Sequence, residues 1–213
     1  MRPAAAILAG ACVLHVAGLV DDRRALPPVP KLAVQVAVAV CVSWLGDIRA
    51  LTLLDAHVGG PWLSVLLTST FIVALVNAVN FLDNMDGLSG GVSAIAAAAL
   101  CVAACVARQW ATAGVLSLLC GGLLGFLAFN FPWRAGQRAR IFMGDGGSLP
   151  VGFLLATLAV RITFTAPEAS HDFHSASSEP PGPAKAAHSE ASNCLGSSSH
   201  PFLRPASTRS LRT

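Results

Sequence analysis

The sequence predicts an all-α membrane protein, a polytopic bundle of about six transmembrane helices. Of its 213 residues, 54% are hydrophobic and only 12% are charged, and the mean hydropathy is +0.64. A water-soluble domain carries roughly 25% charged residues, so this chain is far too apolar for that class. The formal net charge of +3, without a basic run interleaved with aromatic residues, argues against nucleic acid as a partner.

The apolar stretches fix the number of spans. A bilayer core about 30 Å thick requires about 20 apolar residues per helix. Six stretches come close to that length, the second being the shortest: residues 4–20, 32–45, 62–82, 88–107, 111–131 and 149–164. The first runs directly into a pair of aspartates without a signal-peptide cleavage pattern, so we interpret it as a retained span.

The composition changes abruptly at residue 166. From there on, Ser, Pro, His and Ala dominate, and no stretch can span a bilayer or build a core. We therefore expect two regions: a transmembrane domain over residues 1–165 and a low-complexity, disordered tail over residues 166–213.

Acidic clusters follow the first, third and fifth predicted spans. They are Asp21 with Asp22, Asp83 with Asp86, and Asp145. Because each crossing reverses the side on which the chain emerges, all three clusters are expected on one face. Carboxylates beside bilayer segments are costly and usually mark a functional site.

The cations of the predicted loops lie mainly on that same face. It holds Arg23, Arg24, Lys31, Arg134, Arg138 and Arg140, whereas the interior loops of the other face hold only Arg49 and Arg108. The positive-inside rule then makes the acidic face cytoplasmic. The expected location is the inner (plasma) membrane, with several passes and a cytoplasmic active face.

Converging carboxylates at a membrane surface suit Mg²⁺ or Mn²⁺, hard cations that in turn bind diphosphate oxygens. Lys31 and Arg140 can neutralise further phosphate charge. Residues 144–148 add backbone N–H groups just before a predicted helix, with Ser148 as its N-cap or as a phosphate donor. Together these features predict phosphoryl transfer at the lipid boundary.

Each feature also has a simpler interpretation when it is taken alone. Asp21 and Asp22 can be an ordinary solvated pair at a helix end, and residues 144–148 can be a turn and cap. Asn77 and Asn80 share a helix face, and they can simply form hydrogen bonds between helices. The occurrence of all these features at this spacing favours a catalytic site.

Three runs carry a family resemblance: GLVDDR at residues 18–23, NAVNFLDNMDGL at 77–88 and FMGDGGS at 142–148. They resemble the signatures of the polyprenyl-phosphate N-acetylhexosamine-1-phosphate transferases, in the family's order and over about the first three quarters of the chain. The segment from Leu26 through Lys31 to Gln35 is similar to the part of the family that follows the paired aspartates.

The resemblance implies a reaction and its components. A sugar-1-phosphate, GlcNAc-1-phosphate by preference, would pass from a UDP-amino sugar to undecaprenyl phosphate in the bilayer, releasing UMP and serving cell-envelope polysaccharide synthesis. Mg²⁺ or Mn²⁺ would be required. We favour in-line attack by the lipid phosphate, and an aspartyl intermediate stays open. A homodimer is also left open.

The motif match and the residue arguments above give the expected site. The catalytic set is Asp21, Asp22, Asp83 and Asp86. The substrate-binding set is Lys31, Asn77, Asn80, Arg140 and Ser148. The metal ligands are Asp145 and Asp86. Asp21 is implied to orient the lipid phosphate or to act as the base.

Several alternatives remain. The family more often has Gly where this chain has Asn84, and we associate the Asn form with the UDP-GlcNAc branch. The phospho-MurNAc-pentapeptide transferase of peptidoglycan synthesis is the competing branch. Outside the family, the alternatives are a cation transporter or channel and an inactive membrane remnant or assembly partner.

Two departures from the family pattern stand out. Family members have further spans before the paired aspartates and a histidine-containing cytoplasmic loop after further spans. Here one span precedes the aspartates, and His171 and His174 fall in the low-complexity tail on the predicted outer side. Our hypothesis is that the sequence is a fragment at its N-terminus and truncated or frame-shifted near residues 161–167.

Overall fold

The computed structural model describes residues 2–50, 52, 55, 59–133 and 138–164. In these ranges it consists of helices and their connections, without strands. The six long helices are α1 (Arg2–Arg23), α2 (Pro28–Leu45), α3 (Trp62–Leu82), α4 (Leu88–Val106), α5 (Trp110–Asn130) and α6 (Gly144–Phe164). The predicted tail and Arg134 lie outside the described residues.

All six helices are long and apolar enough to cross a membrane. The predicted all-α class is therefore confirmed, the described residues contain the six predicted spans, and the chain is a multi-pass membrane protein. α6 has the most central position, because it packs against α1, α3, α4 and α5. Its apolar window is 56% buried, against 22–33% for the other five.

The ends of two helices differ from the predicted spans in a way that matters for the site. α1 continues to Arg23, so Asp21 and Asp22 are part of the helix. α6 already begins at Gly144, so the predicted loop over residues 144–148 is helical. The prediction of Ser148 as an N-cap is therefore wrong. Hydropathy missed these ends because polar residues can continue a helix that other elements cap.

Two glycines allow neighbouring helix backbones to approach α6. A Cβ atom on Gly18 of α1 would lie 2.3 Å from the carbonyl oxygen of Asp145. A Cβ on Gly152 of α6 would lie 2.8 Å from Cα of Val76 in α3. Lipid tails are as apolar as the side chains between helices, so close backbone packing supplies much of the association between spans.

The three acidic clusters meet at one face of the bundle, as predicted. Both carboxylate oxygens of Asp22, at the end of α1, accept backbone N–H bonds from the start of α6. Asp83, just after α3, accepts another from Gly144. These bonds require the C-termini of α1 and α3 and the N-terminus of α6 to lie together, which is the arrangement that counting the crossings predicts.

The connection from α2 to α3 carries a polar cluster at the opposite end of these helices. Arg49 donates to Asp47 at 2.7 Å and lies 3.4 Å from Asp55, which also accepts a bond from the Ser64 hydroxyl at 2.8 Å. The rings of Trp44 and Trp62 lie nearby in sequence, with centroids 5.2 Å apart. Paired aromatic side chains at a span end are typical of a membrane–water interface.

The contact of α3 with α6 should not tolerate a methyl group at Gly152. We expect Gly152→Ala to lower the free energy of unfolding by about 1–3 kcal/mol, because the new Cβ meets backbone atoms of Val76 that cannot rotate away. Thermal unfolding in detergent micelles measures the effect. Gly114→Ala is the matched control, since a Cβ there meets nothing within 4 Å. Equal melting temperatures for the two variants would contradict the packing argument.

Candidate functional site

The amino group of Lys31 lies at the centre of the acidic face. It pairs with the carboxylate of Asp145 and lies 3.0 Å from Oδ2 of Asp21. It also approaches Oδ1 of Asn80 at 3.5 Å. These four residues belong to α2, α6, α1 and α3, so one cation joins four helix ends. The side chains of Lys31, Asp21 and Asp145 are only 21%, 13% and 20% exposed, which sets this group apart from weak surface ion pairs.

Asn80 holds the other oxygen of Asp145. Its Nδ2 donates to Oδ1 of Asp145 at 2.6 Å and to the hydroxyl oxygen of Ser148 at 2.9 Å. Ser148 lies inside α6 and is fully buried. The structure therefore places Ser148 behind Asn80, where it helps to orient the amide, while Asp145 is fixed through both oxygens.

The first turn of α6 is capped by carboxylates from α1 and α3. Asp22 accepts the N–H of Asp145 at 2.8 Å and that of Gly146 at 2.9 Å. Asp83 accepts the N–H of Gly144 at 2.9 Å. A helix start leaves such donors unpaired and carries a partial positive charge, so negative side chains stabilise it. The backbone donors that the sequence assigns to a substrate anion are thus bound by the protein's own carboxylates.

The ionised form of the Asp83 carboxyl group is disfavoured by its surroundings. Burial raises the pKa of its carboxyl above the ordinary value, and the negative charges of Asp145 and Asp22 raise it further. The N–H of Gly144 acts in the opposite direction by stabilising the ionised form. Among neighbouring carboxylates, Asp83 is therefore a group whose negative charge is costly to keep.

The structure does not join three further predicted site residues to Asp145 by a hydrogen bond. Asp86 is exposed and accepts the N–H of Ala139 at 3.0 Å. Arg140 is exposed, and its backbone N–H donates to the carbonyl of Phe129 at 2.9 Å. Asn77 donates to Oε1 of Gln35, which links α3 to α2.

The predicted site leaves out three polar residues that organise this face, of which Gln35 was named only as part of the family resemblance. Gln35 is 2% exposed and accepts the bond from Asn77. Asn130 accepts the N–H of Gly87 and donates to the carbonyl of Ile141, both at 2.8 Å, so it joins two connections on the acidic face. His15 contacts the carbonyl of Gly146. Their position inside apolar stretches is the signal that could have identified them, because polar residues within spans are rare without a role.

The donor chemistry of the group fits a divalent cation. Within the described ranges, no three His, Cys, Asp or Glu side chains are arranged to hold a metal ion on their own. Mg²⁺ is usually bound by only one or two carboxylates, with substrate phosphates completing its ligands. Asp21 and Asp145, which already share the ammonium group of Lys31, are such a pair of hard oxygen donors.

Comparison with known proteins identifies a family that matches most of this chain. The family model "Glycosyl transferase family 4" matches residues 4–163. A decaprenyl-phosphate N-acetylglucosaminephosphotransferase of Mycobacterium tuberculosis is 36% identical over 167 residues, covering 71% of this chain and 39% of that relative. A probable undecaprenyl-phosphate N-acetylglucosaminyl 1-phosphate transferase of Bacillus subtilis is 32% identical over 158 residues, covering 73% of this chain and 43% of the relative.

A second group of relatives matches a shorter region. A phospho-N-acetylmuramoyl-pentapeptide-transferase of Desulforudis audaxviator is 42% identical over 101 residues, which is 47% of this chain and 29% of that relative. The chain thus spans about two fifths of the length of the first curated relatives that it matches.

Asn80 and Asn84 on the acidic face should differ sharply in their contribution to stability. We expect Asn80→Ala to lower the free energy of unfolding by about 2–3 kcal/mol, because Asp145 and Ser148 both lose a partner in a half-buried site.

Asn84→Ala is the matched control, since Asn84 is exposed and donates to the carbonyl of Phe81 in the adjacent turn. We expect it to change stability by less than about 0.5 kcal/mol. Melting curves in detergent compare the two variants. An equal effect would show that Asn80 does not hold Asp145.

Proposed function

Because the chain belongs to glycosyl transferase family 4, we propose that it transfers a sugar-1-phosphate from a UDP-amino sugar to a polyprenyl phosphate and releases UMP. The observation that carries this proposal is the sharing of the Lys31 ammonium by Asp21 and Asp145 where four spans end. A site there is reached from water by a nucleotide sugar and from the bilayer by a lipid phosphate.

The position of the carboxylates also separates this proposal from a cation transporter. Transporters bind their ions near the middle of the bilayer, at broken helices between repeats. Here Asp21 and Asp22 occupy the last turn of α1, Asp83 follows α3, and Asp145 is the second residue of α6. All of them lie at helix ends on one face, which supports an enzyme working at the interface.

In the proposed reaction, an anionic oxygen of the lipid phosphate attacks the sugar-linked phosphorus in line. A new P–O bond forms there, while the bond from this phosphorus to the bridging oxygen breaks. The electron pair of that bond leaves with UMP. A phosphate monoester is largely dianionic at pH 7, so the attack needs alignment of the reactants rather than a strong base.

The residues have distinct roles in this proposal. Asp145 and Asp21 would hold a Mg²⁺ or Mn²⁺ ion, and Asp86 remains a further candidate ligand. The bound ion would supply positive charge to the diphosphate oxygens. Lys31 would bind a phosphate oxygen in exchange for one of its carboxylates. Asn80 would keep Asp145 oriented, while Asp22 and Asp83 would keep the first turn of α6 in place.

The sugar and the location are also part of the proposal. The two relatives named for N-acetylglucosamine match over 71% and 73% of this chain, and the muramoyl-pentapeptide relative matches over 47%. This difference supports UDP-GlcNAc as the donor. We propose undecaprenyl phosphate as the acceptor, which the Bacillus subtilis relative is named for, whereas the Mycobacterium tuberculosis relative is named for decaprenyl phosphate. We propose that the protein lies in the inner membrane with its acidic face toward the cytoplasm. Loops rich in Lys and Arg lie on that side of a membrane, and UDP-sugars are made there.

Membranes containing the chain should release UMP from UDP-GlcNAc and undecaprenyl phosphate in the presence of Mg²⁺. We expect Asp145→Asn to reduce the rate by about 10²–10³, the range seen when one charge-stabilising group is lost from an active site. Removing the divalent cation with EDTA should abolish release, and adding Mg²⁺ should restore it.

Asp47→Asn is the control for this substitution. Its side chain is 77% exposed in the connection from α2 to α3, and asparagine tolerates the φ of +52° found there. Equal loss in the two variants would contradict a role of Asp145 in the reaction. Faster release from UDP-MurNAc-pentapeptide than from UDP-GlcNAc would assign the chain to the competing branch.

The orientation can be tested with single cysteines in a variant whose native cysteines are replaced by alanine. We expect Arg108→Cys, in the connection from α4 to α5, to react with a membrane-impermeant maleimide on intact cells. Arg24→Cys, between α1 and α2, should react only after the membrane is opened, because it shares the face of the acidic clusters. The reverse labelling pattern would place the site outside the cytoplasm.

A further inference from the structure

Pro150 removes one backbone hydrogen bond from α6 close to the site. It is the seventh residue of this helix and has no N–H group. The helical bond that would end on the carbonyl of Gly146, four residues earlier, therefore cannot form, and the proline ring also crowds that carbonyl. Gly146 is buried, so its carbonyl oxygen needs a partner from the protein.

α1 supplies that partner through His15. Its Nδ1 lies 2.7 Å from the carbonyl oxygen of Gly146, although the two residues are 131 positions apart in the sequence. A carbonyl oxygen can only accept a hydrogen bond, so Nδ1 must carry the proton. This bond replaces the one that Pro150 removes.

The same face of α1 also holds the amide of Gly146. His15, Gly18 and Asp22 are spaced by three and four residues, so they lie on one side of α1. Asp22 accepts the N–H of Gly146 at 2.9 Å. Gly18, between them, lets the two backbones meet, since a Cβ there would lie 2.3 Å from the carbonyl oxygen of Asp145. Both polar backbone groups of Gly146 are thus fixed by α1.

We infer that His15 is a positioning residue for Asp145, supplying to Gly146 the hydrogen bond that Pro150 takes away from α6. Gly146 directly follows Asp145, so the orientation of this turn determines where the Asp145 carboxylate points relative to Lys31 and Asn80. The effect of His15 on catalysis rests on the proposed function, whereas its bond to Gly146 and the compensation for Pro150 do not.

The test uses a matched pair of substitutions at His15. Asparagine and leucine have similar branched shapes, but only asparagine carries an N–H donor at the δ position. We expect His15→Leu to lower the melting temperature in detergent and to reduce UMP release about tenfold, which corresponds to about 1.4 kcal/mol. His15→Asn should keep release within about twofold of the unchanged chain.

Pro150→Ala provides the rescue. An alanine at this position restores a helical N–H for the carbonyl of Gly146, so His15→Leu combined with Pro150→Ala should regain the melting temperature and UMP release of Pro150→Ala alone. Val16→Ala, at a position 58% exposed on α1, controls for any change in that helix.

The melting temperatures test the inference even if the wild-type chain releases no UMP. Such a lack of release would contradict the proposed function alone. The inference is overturned if the double variant melts as low as His15→Leu or does not fold. It is also overturned if His15→Asn melts as low as His15→Leu. A double variant that folds where His15→Leu does not would support it.

Discussion

The ammonium group of Lys31, shared between Asp21 and Asp145, is the interaction on which the acidic face depends. Without a cation, two half-buried carboxylates from α1 and α6 would repel each other in a region of low dielectric, where such charges are expensive. With it, α2 is tied to both helices, and Asn80 brings α3 to the same point. A single positive charge therefore links the ends of four spans.

The second constraint is the partly buried start of α6. Its first N–H groups have no partner within the helix, and carboxylates from neighbouring helices satisfy them. Asp22 and Asp83 do this, and the pKa of Asp83 is raised, first by its burial and then by the negative charges of Asp145 and Asp22. The packing of α6 and the polarity of the site therefore depend on each other. Glycines let the helix backbones come close, and the carboxylates accept hydrogen bonds from the N–H groups at the start of α6.

This arrangement divides the aspartates into two groups. Asp22 and Asp83 are engaged by backbone N–H groups of α6 and maintain its position. Asp21 and Asp145 instead share the ammonium group of Lys31, which a metal ion or a phosphate would have to displace in the proposed reaction. The proposed transfer of a sugar-phosphate to a lipid phosphate needs both groups, because a pair of ligands can align the reactants only when the turn that carries it is held in place.

The sequence by itself determined the class, the six spans and the convergence of the three acidic clusters, because hydropathy reports burial in lipid and the number of crossings reports the face. It did not determine where α1 ends or α6 begins, since those ends depend on caps donated by distant residues. It placed Ser148 at a helix start, whereas the packing of α3 on α6 buries this hydroxyl behind Asn80.

Only the tertiary structure could pair His15 with Gly146 across 131 positions, or Lys31 with Asp145 across 114. Local propensity and periodicity describe one helix at a time. These bonds arise only when several helices pack together and leave specific donors and acceptors without any other partner.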